Sequence, residues 1–350
     1  KILRFWSNLY VNIYLEESIM SDSDINFTID KRIDFIHALV CSYVIKNNFK
    51  NQDDFDWVEF PDTKYFYALV NKIDWSKYPE LEWYLLCIKG CDAYNQLAYL
   101  FDEDFNIKYE NIKKVRNPFN NLELRPFLEL VRKIYFSSDM SKIIDENSNE
   151  LKAQQEAIET LPINYNSSYV KNFFGKNDNM KFHIVGSIFI NGGFSSTIGD
   201  DLYCTRMIKF AENHFFINKR YNFISINHEF AHHYVNPVVD KYFHIVSDNP
   251  YIYEEALANG LPKTYGNFKT VLYEYFVRAV SIVLSEKWLS IEEMQPDIDW
   301  FKELGFARID EIIEIIRTKR QNYTSFEELY VKEFIPYLKN IHQNHTYSPK

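Results

Sequence analysis

The pattern His228-Glu229-Phe230-Ala231-His232 constrains the chain more than any other stretch. In a helix, positions four apart lie on one face, one turn up. His228 and His232 therefore aim their rings at a common point. Glu229, about 100° round the axis, flanks that point without competing for it. Two imidazoles that can share one dication, beside a carboxylate that can take a proton from water, are what zinc-dependent water activation requires. The neighbours read as a buried helix. Phe223, Ile226, Phe230 and Tyr234 cover its back, and Ile224, Ala231 and Val235 cover one flank. A buried His/Glu/His stripe is costly unless it is paired or metal-bound. Chance puts on the order of 0.02 such patterns in a chain of this composition. Asn236 before Pro237 predicts a break, with the helix ending near Val235 and another starting at Pro237.

Two histidines leave a tetrahedral site incomplete. No H-x-x-G-x-x-H follows, so the third ligand is expected to be a downstream carboxylate. One candidate is Glu274, followed one turn later by Arg278. The alternative reading of that pair is a solvated i,i+4 ion pair. The other candidates are Glu254 and Glu255, which equally suit the acidic first turn of a short helix.

The stretch H-E-F-A-H-H-Y-V-N-P, followed by Y-G-N-F and then E-Y-F-V-R-A-V, resembles a bacterial domain family of unknown function that is itself similar to gluzincin-type zinc metallopeptidases. The resemblance covers about residues 180–285. It implies His228 and His232 as zinc ligands, Glu229 as general base and Glu274 as third ligand, with Arg278 nearby. The fold class that follows is α+β. A zincin-like catalytic domain with a small mixed sheet is expected over 166–350, and a mainly helical region over 1–165.

The expected activity is peptide-bond hydrolysis by metal-activated water with zinc as cofactor. The same residues would also serve a zinc hydrolase of a non-peptide amide, or a zincin-like scaffold that does not catalyse. An oxyanion donor is expected. Tyr265, His233, His244 and Arg278 are candidates, and Tyr265 is preferred because its turn precedes the Glu274 helix. Arg278 would either orient Glu274 or hold a substrate carboxylate.

Elsewhere the signals concern architecture. Helices are expected over about 30–47, 79–100, 123–135, 140–160, 268–288 and 309–318, with a last one over 325–342 kinked near Pro336. Phe182 to Ile190 reads as a strand and is the expected edge for pairing with an extended peptide. Tyr203 to Phe210 reads as a second strand. Gly192-Gly193 reads as a turn that lets substrate approach, and Ser195-Ser196 as part of that turn.

The net charge of −10 argues against nucleic acid as a partner; a peptide or protein substrate is expected instead. Four cysteines without a C-x-x-C pair suggest neither a disulfide framework nor a cysteine-rich zinc module. No apolar run reaches the length of a membrane span. Because the chain starts at Lys1, cytoplasmic and exported locations both stay open.

Overall fold

The computed structural model describes residues 25–49, 55–88, 90–115, 123–161 and 165–341. The turn signal at 162–164 and the end of the expected last helix at 342 lie outside them. The architecture is α+β, mainly helical around a small mixed sheet. The elements that build the site are β1 (Asn26–Ile29), α1 (Lys31–Asn47), α2 (Cys91–Ala98), β2 (Lys181–Ser187), β3 (Gly193–Ile198), β4 (Asp201–Met207), α3 (Lys219–Val246), α4 (Phe268–Ser285), α5 (Ile291–Glu303) and α6 (Ile309–Lys319).

The sheet order is β1-β2-β4-β3. β1 and β2 are parallel, β2 and β4 are parallel, and β3 returns antiparallel to β4 through a tight turn at Gly199. Strands from both sides of residue 165 thus share one sheet, and the buried apolar side chains form one connected core. His37 of α1 helps hold that join. Its Nε2 lies 2.8 Å from Asn95 Oδ1 on α2, and its Nδ1 lies 3.3 Å from Ser187 Oγ on β2.

Several expectations change. The Phe182–Ile190 segment is not an edge. β2 lies between β1 and β4 and is paired on both sides, as its run of apolar residues suits. The edge nearest the site is β3, the Gly/Ser/Thr stretch read as a turn. Its composition is poor for a strand, but pairing along the whole of β4 holds it. Ser195 and Ser196 are therefore strand residues. The expected helix 79–100 is broken at Gly90, whose φ of +80° only glycine adopts freely. The expected break at Pro237 is absent, and α3 runs 28 residues straight through it. Proline there removes a single intrahelical donor, and Val235, Val238 and Val239 stay buried across the position. At the C-terminal end the expected kink is present as a π turn, Tyr330–Phe334, just before Pro336.

Candidate metal centre

The site grows from two helices that pack along each other more extensively than any other pair. α3 starts at Asn218, whose side chain accepts from Tyr221 N, and α4 at Asn267, whose side chain accepts from Thr270 N. Phe230 stacks on Phe182 of β2 with centroids 4.4 Å apart, which seats α3 on the sheet. Asn227, fully buried beside His228, accepts from the Tyr165 hydroxyl and donates to Ser285 Oγ at 2.9 Å. That bond ties α3 to α4 immediately behind the histidines.

In front, His228 Nε2 and His232 Nε2 stand 3.0 Å apart. Glu274 Oε2 is 3.8 Å from His228 Nε2, and Glu274 Oε1 is 3.5 Å from His232 Nε2. Among the described residues, these three are the one group of His, Cys, Asp or Glu side chains close enough to share an ion, with ligand atoms within 4.8 Å of one another. Zinc–nitrogen bonds of about 2.0–2.1 Å in a tetrahedron put ligand atoms roughly 3.3 Å apart. The spacing fits.

The surroundings fit as well. His232 Nδ1 donates to Asn236 Oδ1 at 3.2 Å, which leaves the lone pair on Nε2, facing His228. Burial first, then His232, Arg278 and Arg206, hold His228 well below the usual histidine range, so its ring is neutral. Two ring nitrogens this close repel unless a proton or a cation lies between them.

The other carboxylate candidates lie elsewhere. Glu255 receives Arg308 Nε at 2.5 Å and Nη2 at 3.0 Å, a structural ion pair that packs the Tyr251–Ala258 helix against the start of α6. Glu254 is exposed beside it. Of the oxyanion candidates, His244 is exposed and does not line the cleft, whereas His233 lines one of its walls. Arg278 is buried and donates through Nη2 to Glu274 Oε2 and to the Tyr265 hydroxyl, both at 2.9 Å. Phe301 and Phe306 sit against its guanidinium, each centroid 4.8 Å away. Arg278 therefore orients Glu274. Tyr265 accepts from Arg278 and keeps its own proton to donate.

Glu229 faces the cleft but is 8% exposed. Burial, and next the Asp92 carboxylate, push it up to about 8, while Arg206 and the Ser195 hydroxyl pull it back. Arg206, on β4, is fully buried. Its Nε donates to Asn222 Oδ1 at 2.9 Å, and Nη1 to Ser225 Oγ at 2.5 Å. A Cβ on Gly193 would stand 1.2 Å from Nη1. The glycine expected to admit substrate instead makes room for this guanidinium.

The cleft has two lobes. One, about 420 Å³, runs past Tyr221, Ser225, Trp300 and Phe301. The other, about 580 Å³, runs past Asp92, Gln96, Thr197 and Asn236. His228, Glu229, Gly193, Phe194, Tyr265 and Arg278 border both, while His232 and Glu274 line the larger lobe alone, so the His/His/Glu centre opens into the larger lobe beside the junction.

Residues 204–340 match a domain of unknown function, DUF4932. No curated protein and no solved structure matches the chain. The DUF4932 segment begins inside β4 and extends past the expected 180–285 window into the C-terminal helices. It contains all three clustered side chains and Glu229, together with Arg206, Tyr265 and Arg278. Its description carries no activity.

Sequence reasoning missed Asn236, Arg206, Asp92 and the α5 wall. Of these, α5 had a local signal that points the right way, because Ser290 and Glu293 form a capping box.

Proposed function

We propose that this chain is a zinc-dependent hydrolase of peptide bonds. The observation that carries the reading is the convergence of His228, His232 and Glu274 on one point, with Glu229 beside it and the edge strand β3 along the same cleft. The two rings and the Glu274 carboxylate would hold the ion. Bound zinc supplies Lewis acidity, acidifying water and polarising a carbonyl oxygen.

The rest falls to the protein. Glu229 takes a proton from the attacking water on a carboxylate oxygen and returns it to the departing amine. Glu229 stands at about 8, and Arg206, the Ser195 hydroxyl and a bound dication beside it would all favour the ionised form that this step needs. Asn236 and Arg278 hold His232 and Glu274 in their ligand orientations. The Tyr265 hydroxyl donates to the carbonyl oxygen as negative charge develops there. The outer edge of β3 offers backbone groups to an extended peptide, and Gly193 to Thr197 is the stretch that lines the cleft.

The test is metal content by mass spectrometry together with hydrolysis of a peptide library. About one zinc per chain is expected in wild type and in Glu229→Gln, with hydrolysis lost in Glu229→Gln. Glu274→Ala is expected to lose zinc, and Glu255→Ala to keep it. A wild-type protein that takes up no zinc on titration would end the proposal, as would full hydrolysis by zinc-loaded Glu229→Gln.

A further inference from the structure

Helix α2 brings the side chains of Asp92 and Gln96 to the wall of the larger lobe of the cleft. Asp92 lies in its first turn and Gln96 one turn later, so both face the same way. The helix is fixed to the edge strand, because Ser196 Oγ donates to the Asp92 carbonyl at 3.0 Å. The Asp92 side chain is exposed to the cleft, and among the described residues neither a hydrogen bond nor an ion pair engages its carboxylate. Gln96 is 6% exposed, and its Oε1 is buried without a partner.

A buried acceptor left unpaired is costly, and the Asp92 carboxyl beside it, raised to about 7 by its surroundings and then by Glu274, gains its charged form most readily when a cation sits against it. The guanidinium that lines this lobe, Arg278, is committed to Glu274 and Tyr265. The other acidic groups of the lining, Glu229 and Glu274, belong to the reacting centre, and Ser196, Thr197, Asn236 and Thr270 are neutral. Asp92 lies close to the reacting centre, since its charge acts directly on Glu229.

We infer that this lobe receives a primary ammonium group of the substrate, held by the Asp92 carboxylate and the Gln96 amide oxygen. An ammonium has three donors and a positive charge, which both acceptors lack. It could come from the α-amine of a peptide or from a lysine side chain. The inference rests on the peptidase reading for its substrate, but the binding arm of the test, run with and without added zinc, does not.

The kinetic arm uses the zinc-loaded full chain and matched peptides: a free against an acetylated N-terminus, and lysine against norleucine. The free amine or the lysine should raise kcat/KM by about 10- to 100-fold, mainly through KM, the scale of a charge-assisted hydrogen bond. Whichever pair shows the preference identifies the source. Asp92→Asn should collapse that ratio to near one, and Gln96→Leu should reduce it. The binding arm measures Kd for the same peptides by calorimetry on Glu229→Gln as purified and with added zinc, each with and without Asp92→Asn. An ammonium preference there that Asp92→Asn removes would uphold the inference even if no peptide is hydrolysed. Equal affinity for ammonium-bearing and acetylated or norleucine peptides would overturn it. Loss of zinc on Asp92→Asn would also overturn it, by placing the carboxylate in the metal centre.

Discussion

Gly193→Ala is a one-carbon change that should act far beyond its size. The added Cβ would stand 1.2 Å from Arg206 Nη1 and 2.4 Å from Cζ, inside the guanidinium itself. β3 is paired along its length and cannot back away, so the guanidinium must leave. It then loses its bonds to Asn222 and Ser225. Hydrogen bonds to a charged group are worth about 1.5–3 kcal/mol each, so the two together come to roughly 3–6 kcal/mol. Part of this returns if the freed side chain reaches water in the cleft, which leaves an expected cost of about 3–5 kcal/mol. That is a large share of the 5–15 kcal/mol typical of whole domains. Urea denaturation followed by circular dichroism reads it as a lower midpoint at unchanged slope. A double-mutant cycle with Arg206→Met isolates the clash. Methionine lacks the guanidinium that the new methyl strikes, so the two costs should fall short of additive by about 1.5 kcal/mol or more. Gly193→Ala costing under about 1 kcal/mol, or full additivity in the cycle, would refute the packing argument.

Three further outcomes are expected. Asn236→Ala removes the acceptor that fixes the His232 tautomer and should weaken zinc binding about 10- to 100-fold in chelator competition; unchanged affinity would count against the ligand role of His232. Burial holds His37 down at about 4, against 6.5 when unfolded. The folded state stays unprotonated where the unfolded chain binds a proton, so this contribution is whole above about pH 6.5 and falls by roughly 3 kcal/mol as pH drops toward 4. Buried Asp34, whose pKa is raised, works in the opposite direction, so the quantity to read is the difference in urea stability between wild type and His37→Gln across that window; parallel curves would contradict it. Glu255→Ala leaves Arg308 with Glu311 alone and should cost about 1–3 kcal/mol in the same denaturation assay, with zinc content unchanged.

How much of the site the sequence discloses depends on the range of the interaction. His228, Glu229 and His232 lie within five residues, so helical periodicity alone places them. Glu274 and Arg278 are legible as a pair one turn apart, but periodicity does not say that their helix lies against α3; that depends on the Tyr165–Asn227–Ser285 bonds. Asn236 carries a misleading local signal. Before a proline it reads as the end of a helix, whereas here the helix continues and its side chain is spent on His232. The edge strand is hidden for a similar reason, because Gly, Ser and Thr suggest a turn and only pairing with β4 makes them a strand. Arg206, Asp92 and Gln96 have no local signature. Their positions relative to the cleft exist only once β4, α2 and α3 are assembled.

The segment that matches DUF4932 and the walls of the cleft do not coincide. The matched residues hold the clustered ligands and the base. Much of the groove where a substrate would lie comes from β3 and α2, upstream of residue 204. A protein cut to the matched segment would lose the strand that Arg206 packs under and the helix that carries Asp92. On the proposed reading, such a fragment would keep the reacting groups and have little with which to choose among molecules. By the same reading, substitutions upstream of residue 204 would change what the groove accepts while leaving the clustered side chains untouched.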